Sequence, residues 1–321
     1  MMIFDGHGDI WTDVSRKRKE GHKDIIRNMH LERFKKGNMI GGIFIIFIDP
    51  DGDKDPKLQT LEIIEHMGTE IIRSQDILKI VKSPGDFDKA LEEDKLAVII
   101  GMEGLSGIGD NVELINTLYL LGVRHMSLTW NEENLLATGV KGNPDRGLTK
   151  KGIEAVQLME KLGIIIDTAH ANDKTFWDIY ENTTGLIIDS HSNARALCND
   201  SRNLTDDQIK AIVERGGLIG LNSYNEFVHE DEDKRDIHHF VEHLDYLVEL
   251  AGIDHVGFGF DFFHYLRKGP VEDMNLGVKG LETVAQVPDL IDILYNKGYS
   301  KEDIEKISYK NFYRVIEEVL K

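Results

Sequence analysis

A chain of 321 residues with 41% hydrophobic and 30% charged residues and only 6 prolines can bury a large core and is too apolar to stay disordered. The 38 Lys and Arg stand against 57 Asp and Glu, a formal charge of −19 with histidine neutral, which argues against a nucleic-acid groove or an anionic membrane surface as partner. The single cysteine, Cys198, excludes a scaffold stapled by intrachain disulfides.

The first residues, Met1-Met2-Ile3-Phe4-Asp5-Gly6-His7, carry no basic region leading into an apolar run. The longest apolar stretch, residues 41–48, is far short of the roughly 20 residues that cross a bilayer. The tail, residues 315–321, is charged and amphipathic. A cytoplasmic protein without a membrane anchor is expected.

Strands are predicted, in chain order, at residues 2–6, 41–48, 96–101, 124–129, 163–167, 185–189, 217–221 and 255–260. Several are continuous apolar runs, such as Phe44-Ile45-Ile46-Phe47 and Ile164-Ile165-Ile166, the pattern of parallel strands covered on both faces. Helical spacing fills the intervals: Leu61, Ile64, Met67, Ile71 and Ile72, then Phe240, Leu244, Leu247 and Leu250. Eight strands alternating with helices predict a (β/α)8 TIM-type barrel, one domain over residues 1–321 that ends in a C-terminal helix. An open doubly wound sheet would carry a glycine-rich nucleotide turn, and neither G-x-G-x-x-G nor G-x-x-x-x-G-K-S/T occurs. The basic run Arg16 to Lys19 reads as a solvated helix or loop face.

Polar residues gather at the carboxyl ends of these strands, which share one face of a β/α barrel. The first strand leads into His7-Gly8-Asp9, the third into Glu103-Gly104, the fifth into His170, the sixth into His191 and the eighth into Asp261. His7 and Asp9, two apart in an extended chain, point to the same side. Three imidazoles with carboxylates suit Zn²⁺ or another divalent first-row ion. His125 and His255 sit at the beginnings of their predicted strands, on the opposite face, and read as structural; His239 and His243 share one face of an outer helix and read as solvated or packing groups.

The chain resembles the membrane dipeptidase (renal dipeptidase) family of amidohydrolase-like metal barrels. The matching pieces are Asp5-Gly6-His7-Gly8-Asp9, Met102-Glu103-Gly104, Asp167-Thr168-Ala169-His170, Ser190-His191-Ser192, Arg202-Asn203 with Asp206, and Val256-Gly257-Phe258-Gly259-Phe260-Asp261-Phe262. The resemblance implies two Zn²⁺ per chain: one held by His7 and Asp9, the other by His170 and His191, with Glu103 bridging and contributing to catalysis. It implies further that Arg202 receives the carboxylate of a small peptide substrate and that Tyr224 contacts that substrate. By the same resemblance Asp261 would handle the proton as peptide-bond hydrolysis proceeds, the C-terminal substrate residue could be of either chirality, and a homodimer would be an ordinary assembly. One departure stands out: Leu128-Thr129-Trp130-Asn131 has tryptophan where better-known members have a substrate-contacting histidine, so Trp130 and Asn131 are expected at the substrate. Two alternatives stay open, a metal hydrolase of another amide or a lactam, and a catalytically silent barrel that binds a small ligand.

Overall fold

The computed structural model describes residues 1–49, 54–266 and 277–320. Its strands are β1 (Ile3–Gly8), β2 (Met39–Phe47), β3 (Leu78–Ile80), β4 (Leu96–Glu103), β5 (Val123–Ser127), β6 (Ile165–Asp167), β7 (Ile187–Asp189), β8 (Leu218–Leu221) and β9 (Val256–Phe258). All but β3 follow one another in the order β1-β2-β4-β5-β6-β7-β8-β9, every pair parallel. The ring nearly closes where the chain after β9 returns to β1: Phe260 N donates to Asp5 Oδ1 at 2.9 Å and Asp261 N to His7 O at 3.3 Å. These eight strands are the expected TIM-type barrel. The short β3, which sequence periodicity does not flag, pairs with the first residues of β4 outside the ring.

Alternation along the strands divides the core in two. Ile43 and Ile45 of β2 and Ala97 and Ile99 of β4 join Ile165, Ile188 and Leu218 in the barrel interior. Phe44, Ile46, Val98 and Ile100 face the surrounding helices. The C-terminal helix (Asn311–Val319) plugs the lower mouth, its Phe312 ring 5.4 Å from that of Phe4. Gly6 makes the plug possible, because a Cβ there would lie 2.3 Å from Phe312 Cζ. Strand β1 breaks parity: its register with β2 slips between Asp5 and Gly8. Phe4 and His7, three apart, therefore both face inward, which a regular strand forbids.

The outer layer departs from expectation in one helix. In Pro56–Arg73 the buried side is set by Thr60, Ile63, Met67 and Glu70, whereas Leu61 and Ile72 are 56% and 71% exposed. The stripe is turned because Glu70 finds a partner inward, its Oε1 accepting from Ile26 N at 3.0 Å, while Thr60 Oγ1 donates back to its own helix at Pro56 O. Of the stripe expected in Ile237–Ala251, Phe240, Leu244 and Leu247 are fully buried and Leu250 is half-buried. Arg16 to Lys19 form the last turn of Ile10–Lys19, where positive charge complements the helix dipole.

Candidate metal centre

The carboxyl ends of the barrel strands bring five histidine and acidic side chains into one cluster. His7 lies within β1 and Glu103 is the last residue of β4. His170 and His191 follow β6 and β7 by three and two residues, and Asp9 is the N-cap residue of Ile10–Lys19. Glu103 Oε1 lies 2.8 Å from His170 Nε2, 3.5 Å from His191 Nε2 and 3.6 Å from His7 Nε2. The two imidazoles His170 and His191 meet at Nε2–Nε2 2.9 Å. Asp9 and Asp261 close the other side, each with a carboxylate oxygen within 4.8 Å of a His7 ring nitrogen. Two of these residues hold left-handed backbone that side chains seldom adopt, His170 at φ 68° and Asp261 at φ 57°. Strain of that kind, about 1–3 kcal/mol per residue, collects at functional sites.

The electrostatics of the cluster call for cations. All of these side chains except Asp261 are nearly inaccessible to solvent. Burial, then the nearby charges of Asp9 and Asp261, pushes the Glu103 carboxyl well above the usual carboxylate range. Burial and Asp261 do the same to Asp9, and burial raises Asp261 to about 6 against the opposing pull of Arg202 and Asn222. Burial drives the imidazoles the other way, His7 down to about 3 and His170 and His191 well below their ordinary value. The carboxylates repel one another beside imidazoles that resist protonation, the Arg202 guanidinium offsets only part of that charge, and divalent metal supplies the rest. Both ring nitrogens of His7 and Asp9 Oδ1 are buried with no hydrogen-bond partner among the described residues. The donor set therefore fits a metal: His7, Asp9, His170 and His191 would hold it, with Glu103 between them.

Above the cluster opens a cleft of about 380 Å³. Arg202, 6% exposed, enters its wall with Nη1 donating to Ser192 Oγ at 3.0 Å and Nη2 to His191 O at 3.1 Å, its guanidinium 5.4 Å from the Phe227 ring centre. Among the described residues its guanidinium meets no carboxylate within 4.0 Å, neither Asp200, which accepts from the Arg202 backbone N–H at 2.8 Å, nor Asp206, which is held by Tyr246. Tyr224 lines the cleft and packs on Phe227 and Phe263. Trp130 stands over the cluster, its ring 6.2 Å from that of His170, braced by Phe47 at 5.3 Å with Lys141 Nζ 5.6 Å from its centre. Asn131 also borders the cleft, but its Oδ1 accepts from His170 Nδ1 at 2.8 Å, which makes it a brace for a candidate ligand. Asp261 sits close enough to His7 and Asp9 to share a cation with them, a possibility that its position in the chain does not reveal.

Three residues beneath the cluster escape a reading of strand ends. His125 is not at the far mouth of the barrel: β5 has only five residues, and its third places the buried His125 ring inside, Nε2 2.9 Å from Asp167 Oδ2. Ser190 links Asp167 to His191. Asp167 and Ser190 each stand next to or near a candidate ligand in the chain, which is the only signal they leave in the sequence. The remaining histidines pack as expected. His255 Nδ1 meets Gly217 O at 2.8 Å, His239 bonds its own helix cap Asp236, and the buried His243 ties Ala194 N to Val228 O.

A parallel β/α barrel with imidazoles and carboxylates converging at its carboxyl mouth defines a metal-dependent hydrolase. The model of the membrane dipeptidase family, peptidase family M19, matches residues 1–321, and the chain belongs to that family. It is a metallo-dipeptidase. Curated relatives include a Klebsiella pneumoniae protein encoded in the pqqA 5′ region, 34% identical over 271 residues that span 81% of this chain and 95% of that protein. An uncharacterized dipeptidase of Schizosaccharomyces pombe is 33% identical over 80% of this chain, which spans 61% of that longer protein. Among solved structures, a metallopeptidase from Rhodobacter sphaeroides liganded with a phosphinate mimic of the dipeptide L-Ala-D-Ala superposes with a TM-score of 0.87 at 25% identity, covering 99% of both chains.

Proposed function

We propose that this metallo-dipeptidase works with two zinc ions, held by His7, Asp9, His170 and His191 with Glu103 between them, and that it cleaves dipeptides whose C-terminal residue is of either hand. The observation that carries the reading is the buried meeting of Glu103 Oε1 with three imidazole nitrogens, all within 3.6 Å, beside two further carboxylates. The phosphinate dipeptide mimic on the Rhodobacter sphaeroides relative supports the substrate class. When bound, the divalent ions polarise the scissile carbonyl and acidify a water.

The chain's own residues supply the rest. Arg202, anchored by Ser192 and the His191 carbonyl, has no hydrogen-bond partner for Nε among the described residues and offers a positive fork to the substrate carboxylate. Asp261, held by Asn222 Nδ2 at 3.3 Å, takes the proton that water loses as its oxygen adds to the peptide carbon, then delivers it to the departing amine as the C–N bond breaks. A carboxyl raised to about 6 ionises readily at neutral pH and can return the proton. Trp130 walls the cleft and keeps bulk water from the reacting carbonyl.

The test is turnover by the purified chain, stripped with chelator and reloaded with zinc, on L,L and L,D dipeptides, N-acyl amino acids and a lactam. Dipeptide hydrolysis that returns in step with two equivalents of zinc supports the proposal. A two-zinc protein that leaves the whole dipeptide panel intact overturns it, and selective turnover of the lactam or N-acyl substrates would favour the reading in which Trp130 reshapes the pocket. A cytoplasmic location and a homodimer belong to the same proposal, tested by cell fractionation and light scattering.

A further inference from the structure

The polar chain beneath the cluster has a direction that hydrogen-bond chemistry alone determines. Asp167 Oδ1 accepts two backbone N–H bonds, from Ala169 at 3.0 Å and Ser190 at 2.9 Å. Its Oδ2 faces Ser190 Oγ at 2.5 Å and His125 Nε2 at 2.9 Å. Burial pushes this carboxyl up, but the bonds from His125, Ser190 and Ala169 outweigh it and hold Asp167 below the usual carboxylate range, so it is ionised and can only accept. The Ser190 proton therefore goes to Asp167. Ser190 Oγ then has only lone pairs to offer His191 Nδ1, 2.7 Å away, and that nitrogen must carry a proton. Neutral His191 in this tautomer presents a bare lone pair at Nε2. Asn131 Oδ1 imposes the same choice on His170, because an amide oxygen can only accept from Nδ1. Two Nε2 lone pairs thus face each other across 2.9 Å with no N–H between them, and Glu103 Oε1 lies 2.8 Å from that of His170, so a cation can take all three acceptors.

We infer that His125, Asp167 and Ser190 form a positioning relay that sets the His191 tautomer and so prepares the second metal position before metal arrives. His125 is the buried end of the relay: its Nε2–H orients the Asp167 carboxylate, and its Nδ1 meets no partner among the described residues. The inference rests on the reading of His191 as a metal ligand, and its own content is the proton arrangement of the metal-free protein. Outer partners of this kind are worth about 10–100-fold in metal affinity.

Asp167→Asn separates the relay from mere packing, since the amide matches the carboxylate in shape. The two backbone N–H donors keep the amide oxygen at the Oδ1 position, which turns the NH₂ toward Ser190 and His125. Ser190 then accepts from Asn and donates to His191 Nδ1, placing the imidazole proton on Nε2, where metal would bind. The experiment is two-bond ¹H–¹⁵N correlation of histidine-labelled, metal-free protein, together with zinc affinity by competition with a chromophoric chelator. Wild type should show His191 protonated at Nδ1, and Asp167→Asn should show it at Nε2 with zinc affinity lower by about 10–100-fold. Ser190→Ala, which removes the hydroxyl without reversing it, should lose the Nδ1 preference and weaken zinc less than Asp167→Asn does. An unchanged His191 tautomer in folded Asp167→Asn, or a wild-type His191 protonated at Nε2, overturns the relay whether or not the enzyme cleaves dipeptides. Failure of wild type to bind zinc with the expected tautomer present would instead strike the ligand assignment.

Discussion

Acidification should loosen the wall of the cleft through His243, a residue far from the chemistry. The ring is 1% exposed; its Nδ1 accepts from Ala194 N at 3.2 Å and its Nε2 donates to Val228 O at 2.8 Å. A proton on Nδ1 would set N–H against N–H at Ala194. Burial accordingly lowers this imidazole from 6.5 to about 4, with the Val228 bond opposing and His229 and His239 adding to the fall. Because the folded value lies below the unfolded one, the unfolded chain binds more protons between pH 6.5 and 4, and stability drops as pH falls through that window. The shift of about 2.5 units is worth at most roughly 3 kcal/mol at about 1.36 kcal/mol per unit, and about 2 kcal/mol of that is lost by pH 5. The assay is urea unfolding of wild type and His243→Gln at pH 7 and pH 5. The variant keeps a donor for Val228 but has no imidazole to titrate, so it should be less stable than wild type at pH 7 and close most of that gap at pH 5. Equal pH slopes for the two proteins would refute a neutral, buried His243. Since Val228 adjoins Phe227, whose ring faces Arg202, the same acidification should weaken substrate binding before global unfolding.

Arg202→Met removes a buried cation that makes charge-assisted bonds worth about 1.5–3 kcal/mol each. It should lower kcat/KM for dipeptides about 100-fold but leave the corresponding dipeptide amides nearly unaffected; an equal loss on both substrates would dismiss a carboxylate-binding role. Asp261→Asn should leave the metal content unchanged and lose about 10²–10⁴ in kcat, the range for a general acid–base group. Loss of one ion by elemental analysis would instead make Asp261 a ligand, as its approach to His7 and Asp9 allows. Trp130→His exchanges the indole N–H for an imidazole donor at the position where better-known family members carry histidine, and should raise dipeptide kcat about tenfold, the value of one modest bond made to developing charge. No change in kcat across a dipeptide series would show that the donor is not missed here.

Much of the architecture was legible because parallel β/α units write themselves locally. Short β-rich runs, several of them continuously apolar, located all eight barrel strands to within a few residues, and the strand ends named the residues that now meet at the mouth. Where local pattern competed with partners distant in the chain, it misled. Leu61 and Ile72 are exposed because Glu70 turns inward to cap Ile26 N. β3 is three residues long and exists only by pairing with β4. Asn131, expected at the substrate, does border the cleft, and its bond to His170, 39 positions away, is a second role that chain position does not show.

The same division runs through the site. That His7, Asp9, Glu103, His170, His191 and Asp261 share one mouth follows from chain order, since parallel strands joined by helices must all end on the same side. Which proton each imidazole carries does not follow from order. It depends on the β1 slip that turns His7 inward and on the stacking of His125, Asp167 and Ser190 under His191, contacts between strands whose residues are up to 42 positions apart. Hydrogen-bond direction is a property of three-dimensional neighbours, and only the closed barrel makes these residues neighbours.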